Sequence, residues 1–269
     1  MNHADLLAFI LILLLMGTVL YCVWRARRGK ISYIRRVSGI AAMEEAVGRA
    51  TEMGRAIVFI TGDSGIQAIE THTSMSVLAH VARLAARMRN ELVVLMSVPE
   101  NYPLVEETVR QAYMAEGAPG LFRGQEQVRF LSNEPVVFAA GVSRFVEENR
   151  PGCVIFFGTF NFTSLLLSEP GARLRVLQIA GDPSLFQMPF FVCTCDYTVI
   201  GEEYFAAGAL VSPDPRMRNS LLGQDLVKLV FAAIVVFGLV LYHVLPQNPE
   251  AGGLASALSR FLKLIQSYK

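Results

Sequence analysis

A chain of 269 residues has room for one domain of ordinary size plus accessory segments. Its formal charge of +1 excludes bulk attraction to nucleic acid, so no nucleic-acid partner is expected. At 53% hydrophobic residues the composition is rich for a purely soluble domain, and the excess gathers in two runs.

The first run is Leu6–Trp24, uninterrupted and apolar. At about 1.5 Å per helical residue it reaches nearly 30 Å, the thickness of a hydrocarbon core. Tyr21 and Trp24 stand at its end, where amphipathic rings favour the headgroup level. A cleaved signal would carry its cations before the run, whereas here Arg25, Arg27, Arg28, Lys30, Arg35 and Arg36 follow it. The run therefore reads as a retained transmembrane anchor, residues 1–28. A cytosolic α/β domain is expected over 29–223.

The second run, Leu229–Leu245, follows Lys228, carries no charge and is closed by Pro246. It reads as a C-terminal transmembrane helix within 224–246. Cations after the first run and before the second place the domain between them in the cytosol by the positive-inside rule, with both termini outside. The expected location is the cell membrane, with two spans. In the tail, 247–269, Leu254, Leu258, Phe261, Leu262 and Ile265 recur at helical spacing, which suits a short amphipathic helix.

Between the runs, helix-like and strand-like stretches alternate. Ile40–Met53 mixes apolar and charged residues at helical spacing, with Glu45 and Arg49 placed for an i,i+4 pair and Gly54 as a C-cap. Strands are expected at Ala56–Thr61, Leu92–Val98, Val128–Leu131 and Cys153–Phe157, and helices at Ser74–Asn90, Pro103–Glu116 and Pro135–Asn149. Arg175–Ala180 and Phe190–Cys195 are further short apolar runs, and Glu202–Ala209 reads as a last helix. Continuous apolar strands between amphipathic helices imply a Rossmann-like, open, mostly parallel sheet covered on both faces.

Gly62-Asp63-Ser64-Gly65 follows the first strand, where open α/β folds bind ligands. It matches neither G-x-G-x-x-G nor a P-loop, and Asp63 would repel phosphate. A tight turn is the plain alternative. The same four residues look like the nucleophile loop of trypsin-type proteases, but those are all-β. Ser64 with His72 could be assembled into a hydrolytic set only if geometry joined them. Thr73 or Ser74 as an N-cap explains the polarity around His72. Gly158–Ser164 follows the fourth strand, so Gly158, Thr159 and Asn161 are candidate ligand residues, with subunit contact through its aromatics as the alternative. Glu169-Pro170-Gly171 and Gly181-Asp182-Pro183-Ser184 read as turns, with Asp182 a lone acid. Cys193 and Cys195 form a C-x-C, with no histidine near it in sequence. No catalytic residue, metal site or cofactor is assigned.

The stretch Glu44-Glu45-Ala46-Val47-Gly48-Arg49-Ala50-Thr51-Glu52-Met53-Gly54-Arg55, leading into a strand that ends at Gly62, resembles an uncharacterised family of prokaryotic membrane-anchored proteins. That family is known only as a domain of unknown function. The resemblance covers roughly residues 35–222 and implies the same domain plan, with no catalytic residue to carry over. The expectation is a membrane-anchored scaffold or interaction module that self-associates. Its partners would be the lipid bilayer, further copies of itself and related membrane subunits. A ligand- or nucleotide-sensing subunit is the first alternative, and a hydrolase using Ser64 and His72 is the second.

Overall fold

A computed structural model describes residues 38–212 continuously and residues 16, 17, 228, 229, 231, 232 and 235 singly. The chain divides into two compact units, Tyr33–Asp214 and a second made of Met1–Ser32 with Pro215–Lys269. The expected spans, their flanking cations and the amphipathic tail lie almost wholly outside the described residues. Among the described residues no helix is long and apolar enough to cross a membrane.

Within 38–212 the elements alternate as the patterning requires. In chain order they are α1 (Ser38–Glu52), β1 (Ile57–Thr61), α2 (Ile69–Arg87), β2 (Leu92–Met96), α3 (Tyr102–Ala115), β3 (Val128–Phe130) and α4 (Pro135–Asn149). Then come β4 (Cys153–Phe157), α5 (Ser164–Arg173), β5 (Leu177–Asp182), α6 (Met188–Thr194), β6 (Tyr197–Ile200) and α7 (Glu202–Val211). The six strands form one sheet in the order β3-β2-β1-β4-β5-β6, and every pairing is parallel. This is an open Rossmann-like α/β layer. Its strand order reverses between β1 and β4, the position where such sheets carry ligands.

Successive strand residues point to opposite faces, so each strand feeds both halves of the core. Ile57, Phe59, Leu92, Val94, Ile155 and Phe157 pack with α1, α2, α3 and α7. Val58, Ile60, Val93, Leu95, Val154 and Phe156 pack with α4, α5 and α6. Burial on both faces is why β1, β2 and β4 are continuous apolar runs rather than alternating ones. On α1, Ile40, Met43, Val47 and Ala50 recur at helical spacing and form its buried face.

Several local expectations are corrected. Helix α2 begins at Ile69, one turn before Thr73 and Ser74, so neither is its N-cap; both are buried inside the helix. The run Phe190–Cys195 lies mainly in helix α6, and the neighbouring strand is Tyr197–Ile200. A short apolar run fits either element, and the sequence pattern alone leaves its type open. Glu169-Pro170-Gly171 is not a turn but the middle of α5. Pro170 has no N–H to give the carbonyl of Leu166, which accepts from Ser143 Oγ of α4 at 3.3 Å instead. Of the two aromatics after β4 offered for subunit contact, Phe162 is exposed but Phe160 is fully buried, packed on Phe156 and Phe191.

Candidate functional site

The loops after β1 and β4 leave adjacent strands at the point of reversal, so Gly62, Asp63, Ser64, Gly65, Gly158, Thr159 and Asn161 come together at the carboxyl edge of the sheet. Gly62 and Asp63 of the first loop contact Gly158, Thr159 and Asn161 of the second. A Cβ on Gly62 would stand 2.3 Å from the Thr159 nitrogen, and one on Gly158 would stand 2.3 Å from the Gly62 nitrogen. The glycines permit a close approach of backbone to backbone. Asp63 N–H donates to the Thr159 carbonyl at 2.8 Å, which fixes the approach. Gly65 has open space around it.

Two carboxylates hold the β4 loop from either side. Asp63 Oδ2 accepts from the Asn161 N–H at 3.2 Å, and its Oδ1 accepts from Ser97 Oγ at 2.9 Å. From the end of β5, Asp182 Oδ2 accepts from the Phe160 N–H at 3.1 Å, and its Oδ1 from the Ser184 N–H at 2.7 Å. Burial raises Asp63 above the usual carboxylate range, against the opposing pull of the Asn161 and Ser97 donors. Asp182, fully buried, is pushed up to about 6, chiefly by burial and further by the charge of Asp63, while the Ser184 and Phe160 N–H groups oppose the shift. The loop that a ligand would be expected to meet is thus engaged by this protein's own acids.

Beneath the loops lies a cavity with a free volume of about 10 Å³, lined by Thr61, Gly62, Ser64, Thr71, Ser74, Asn101, Gly158 and Thr159 among others. That is space for about one water molecule. About half of the polar side-chain groups in the lining are satisfied internally. Thr71 Oγ1 donates to the carbonyls of Gly65 and Ser64, Asn101 Nδ2 donates to Ser64 O at 2.9 Å, and Ser74 Oγ donates to Phe157 O at 2.5 Å. Thr61 Oγ1, Asn101 Oδ1 and Thr159 Oγ1 are buried without a partner. No hydrogen bond joins Ser64 to His72 among the described residues; His72 is exposed on α2, and its carbonyl accepts from Ser76 Oγ at 3.1 Å.

Sequence reasoning gathered the two glycine loops but missed the residues that close them. Asp182, treated as a lone acid, and Ser97, Asn101 and Tyr204 come from three further elements. Tyr204 of α7 stacks on Phe157 with ring centroids 4.5 Å apart and donates to the Glu70 carbonyl at 2.7 Å. The one signal available was position: each of Asp63, Ser97 and Asp182 ends or follows a strand at the same edge.

Above the closed crevice the carboxyl-edge loops carry an apolar crest. Phe162 is 90% exposed, Phe186 is 89% and Leu185 is 70%. Phe162 also sits at φ +58°, a left-handed conformation unfavourable for an aromatic residue. The loops bearing the crest are joined by a hydrogen bond from Ser164 Oγ to Gln187 Oε1. On the α4–α6 side, an open groove of about 250 Å³ runs between α4 and α5, lined by Val136, Ser143, Glu147, Leu166 and Arg173 among others. Cys193 is exposed, while Cys195 is half-buried and burial pushes its thiol up to about 12. Among the described residues no cluster of His, Cys, Asp and Glu could hold a metal ion.

Searches of curated proteins and of solved structures give no match. The profile of one family matches residues 1–250, nearly the whole length, and so this chain belongs to the family described as domain of unknown function DUF6754.

Proposed function

We propose that this protein is a membrane-anchored scaffold or interaction module that self-associates into a homo-oligomeric membrane assembly, with the α/β domain in the cytosol. The observation that carries the reading is the contrast at the carboxyl edge. The crevice beneath the loops has a free volume of about 10 Å³, while Phe162, Phe186 and Leu185 project above it into solvent. Large exposed apolar side chains on a folded domain mark contact surfaces, and aromatics anchor such contacts. The anchor rests on the runs Leu6–Trp24 and Leu229–Leu245, each long enough for a bilayer core. Tethering in a membrane raises local concentration and favours assembly of weakly adhesive domains.

The alternatives draw less support from geometry. A nucleotide needs several hundred Å³ of concave space, far more than lies between Gly62 and Gly158. A hydrolytic role needs a base beside Ser64, and His72 makes no hydrogen bond to it.

The test is the mass of the full chain in mild detergent. A multimer that weakens in the Phe162→Ser, Phe186→Ser double variant is expected; a monomer at high protein concentration overturns the reading. Protease and thiol-label maps on sealed vesicles check the topology: labelling of Cys193 from the outer face would refute a cytosolic domain.

A further inference from the structure

The two edges of the sheet differ in their charged residues, and the amino edge carries a set of arginines placed in an unusual way. Residues 38–212 contain no lysine, so arginine supplies the permanent positive charge. Arg49, Arg87, Arg110, Arg123, Arg144 and Arg173 each face a glutamate. Arg83 and Arg129 donate to backbone carbonyls. The rest are Arg55, Arg89, Arg150 and Arg175, all exposed, and their side chains make no hydrogen bond or ion pair among the described residues.

These four share one position in the fold. Arg55 precedes β1, Arg89 precedes β2, Arg150 precedes β4 and Arg175 precedes β5, and those strands are neighbours in the order β2-β1-β4-β5. At about 4.8 Å between strands the positions form a row roughly 15 Å long on the amino edge. Arg89, Arg150 and Arg175 stand at φ +52°, +44° and +54°, where the chain leaves a helix in the left-handed conformation. Glycine is the economical residue there. The turn before β1 does use one, Gly54 at φ +62°, and Arg55 follows it. Complementing helix dipoles would explain basic residues near helix ends. It does not explain why the arginines in these turns lack partners while others nearby have them. Of the acids at this edge, Glu116, Glu147 and Glu148 pair with Arg87, Arg173 and Arg144, and Glu52, Glu91 and Asp196 stand nearby in sequence without an ion pair to the row.

The carboxyl edge is the counterpart. The connections after the six strands contain no lysine or arginine. They and the helix starts they lead into expose Glu100 and Glu134 on one side, and Glu202 and Glu203 on the other, of the loops that bear Phe162 and Phe186 in the order of the sheet. An acidic rim around aromatic anchors is the surface that a row of free guanidinium groups would complement.

We propose that the arginine row on the amino edge docks on the acidic, aromatic carboxyl edge of a second copy of this chain, head to tail. This rests on the self-association inferred above and names its surfaces. The two edges differ, so the interface is heterologous: repeated, it closes a ring or grows a filament and does not stop at a dimer. Solvated charges at the rim make the contact sensitive to salt.

The experiment uses the full chain in mild detergent and two charge-reversed variants. The first carries Arg55→Glu, Arg89→Glu, Arg150→Glu and Arg175→Glu; the second carries Glu100→Lys and Glu134→Lys. Each alone is expected to lose the multimer at least tenfold in concentration dependence. Mixed in equal amounts they are expected to recover it, because each then presents the charge that the other requires. Variants that assemble like the parent chain, or a mixture that stays dissociated while both variants melt like the parent, overturn the docking. In the first of these cases self-association itself stands. A parent chain that is monomeric overturns both readings. Normal assembly by the arginine variant, with new protease sensitivity only in nanodiscs containing phosphatidylserine, would assign the row to anionic lipid and refute the second copy.

Discussion

At their carboxyl ends the strands run into loops that bury acids, press two glycine backbones together and leave aromatic side chains outside. At their amino ends the same strands begin from turns that expose arginines in a conformation better suited to glycine. The first edge turns Asp63 and Asp182 inward onto its own loops, and the second leaves four arginines without side-chain partners among the described residues. A parallel sheet puts all its helix-to-strand turns on one edge and all its strand-to-helix loops on the other. One residue choice repeated in several turns therefore becomes a surface property. At the edge where ligand chemistry is usually sought, Asp63 and Asp182 are committed to this protein's own loops.

The largest expected effect breaks the carboxyl edge. Gly62→Ala places a methyl group where the Thr159 backbone already stands, 2.3 Å from its nitrogen. The backbone cannot yield as a side-chain tip could, so a loss of about 3–5 kcal/mol in stability is expected, read from thermal or denaturant unfolding. Gly65→Ala, with open space around it, is the control and is expected to change little.

Asp182 gives a smaller effect with a definite sign. Its folded-state pKa of about 6 lies above the ordinary value of 3.8. Between those values the folded state holds more protons than the unfolded one, so stability is highest at the acidic end and falls as pH rises through about 6. The fall attributable to this group is up to about 3 kcal/mol, from roughly 1.4 kcal/mol for each pH unit separating the folded and unfolded values. Asp63 is also raised and adds a slope of the same sign. Melting of Asp182→Asn against the parent from pH 4 to 7 checks this. The variant loses one acceptor and is less stable throughout, but its curve is expected to be flatter. An unchanged slope would show that Asp182 is not the group titrating.

The smallest effect sharpens the amino edge. Arg150→Gly removes a Cβ from a residue at φ +44°. A gain of about 0.5–1 kcal/mol is expected from the relieved left-handed conformation, partly offset by the freedom of glycine in the unfolded chain. Higher stability together with weaker assembly would separate the two roles of that position.

Much of this layout is legible in the sequence, for a physical reason. Strands buried on both faces must be apolar throughout, and the helices between them must be apolar on one face. Cys153–Phe157 and Pro135–Asn149 are therefore read to the residue. The meeting of Gly62 with Gly158 follows from the strand order once the helices are recognised as crossovers. Failures came where a residue answered to a distant partner. Pro170 looks like a breaker until Ser143 takes over the carbonyl it leaves free. Asp182 looks isolated until the Phe160 N–H is brought to it from another strand. The arginine row has no linear motif at all: its members are separated by dozens of residues and become neighbours only through the pairing of β2, β1, β4 and β5.

The placement of α1 has a consequence for how the chain is made. Gly39, near its start, lies so close to Val199 of β6 that a Cβ there would overlap a methyl of that valine. The first helix of the α/β domain thus rests on the last strand of its sheet. At roughly 5–20 residues per second, the nascent α1 waits on the order of ten seconds for that neighbour. During that interval Met43 and Val47 can already join the core with α2, β1 and β4, so a chain stalled before Ile200 would leave unseated mainly the start of α1 around Gly39.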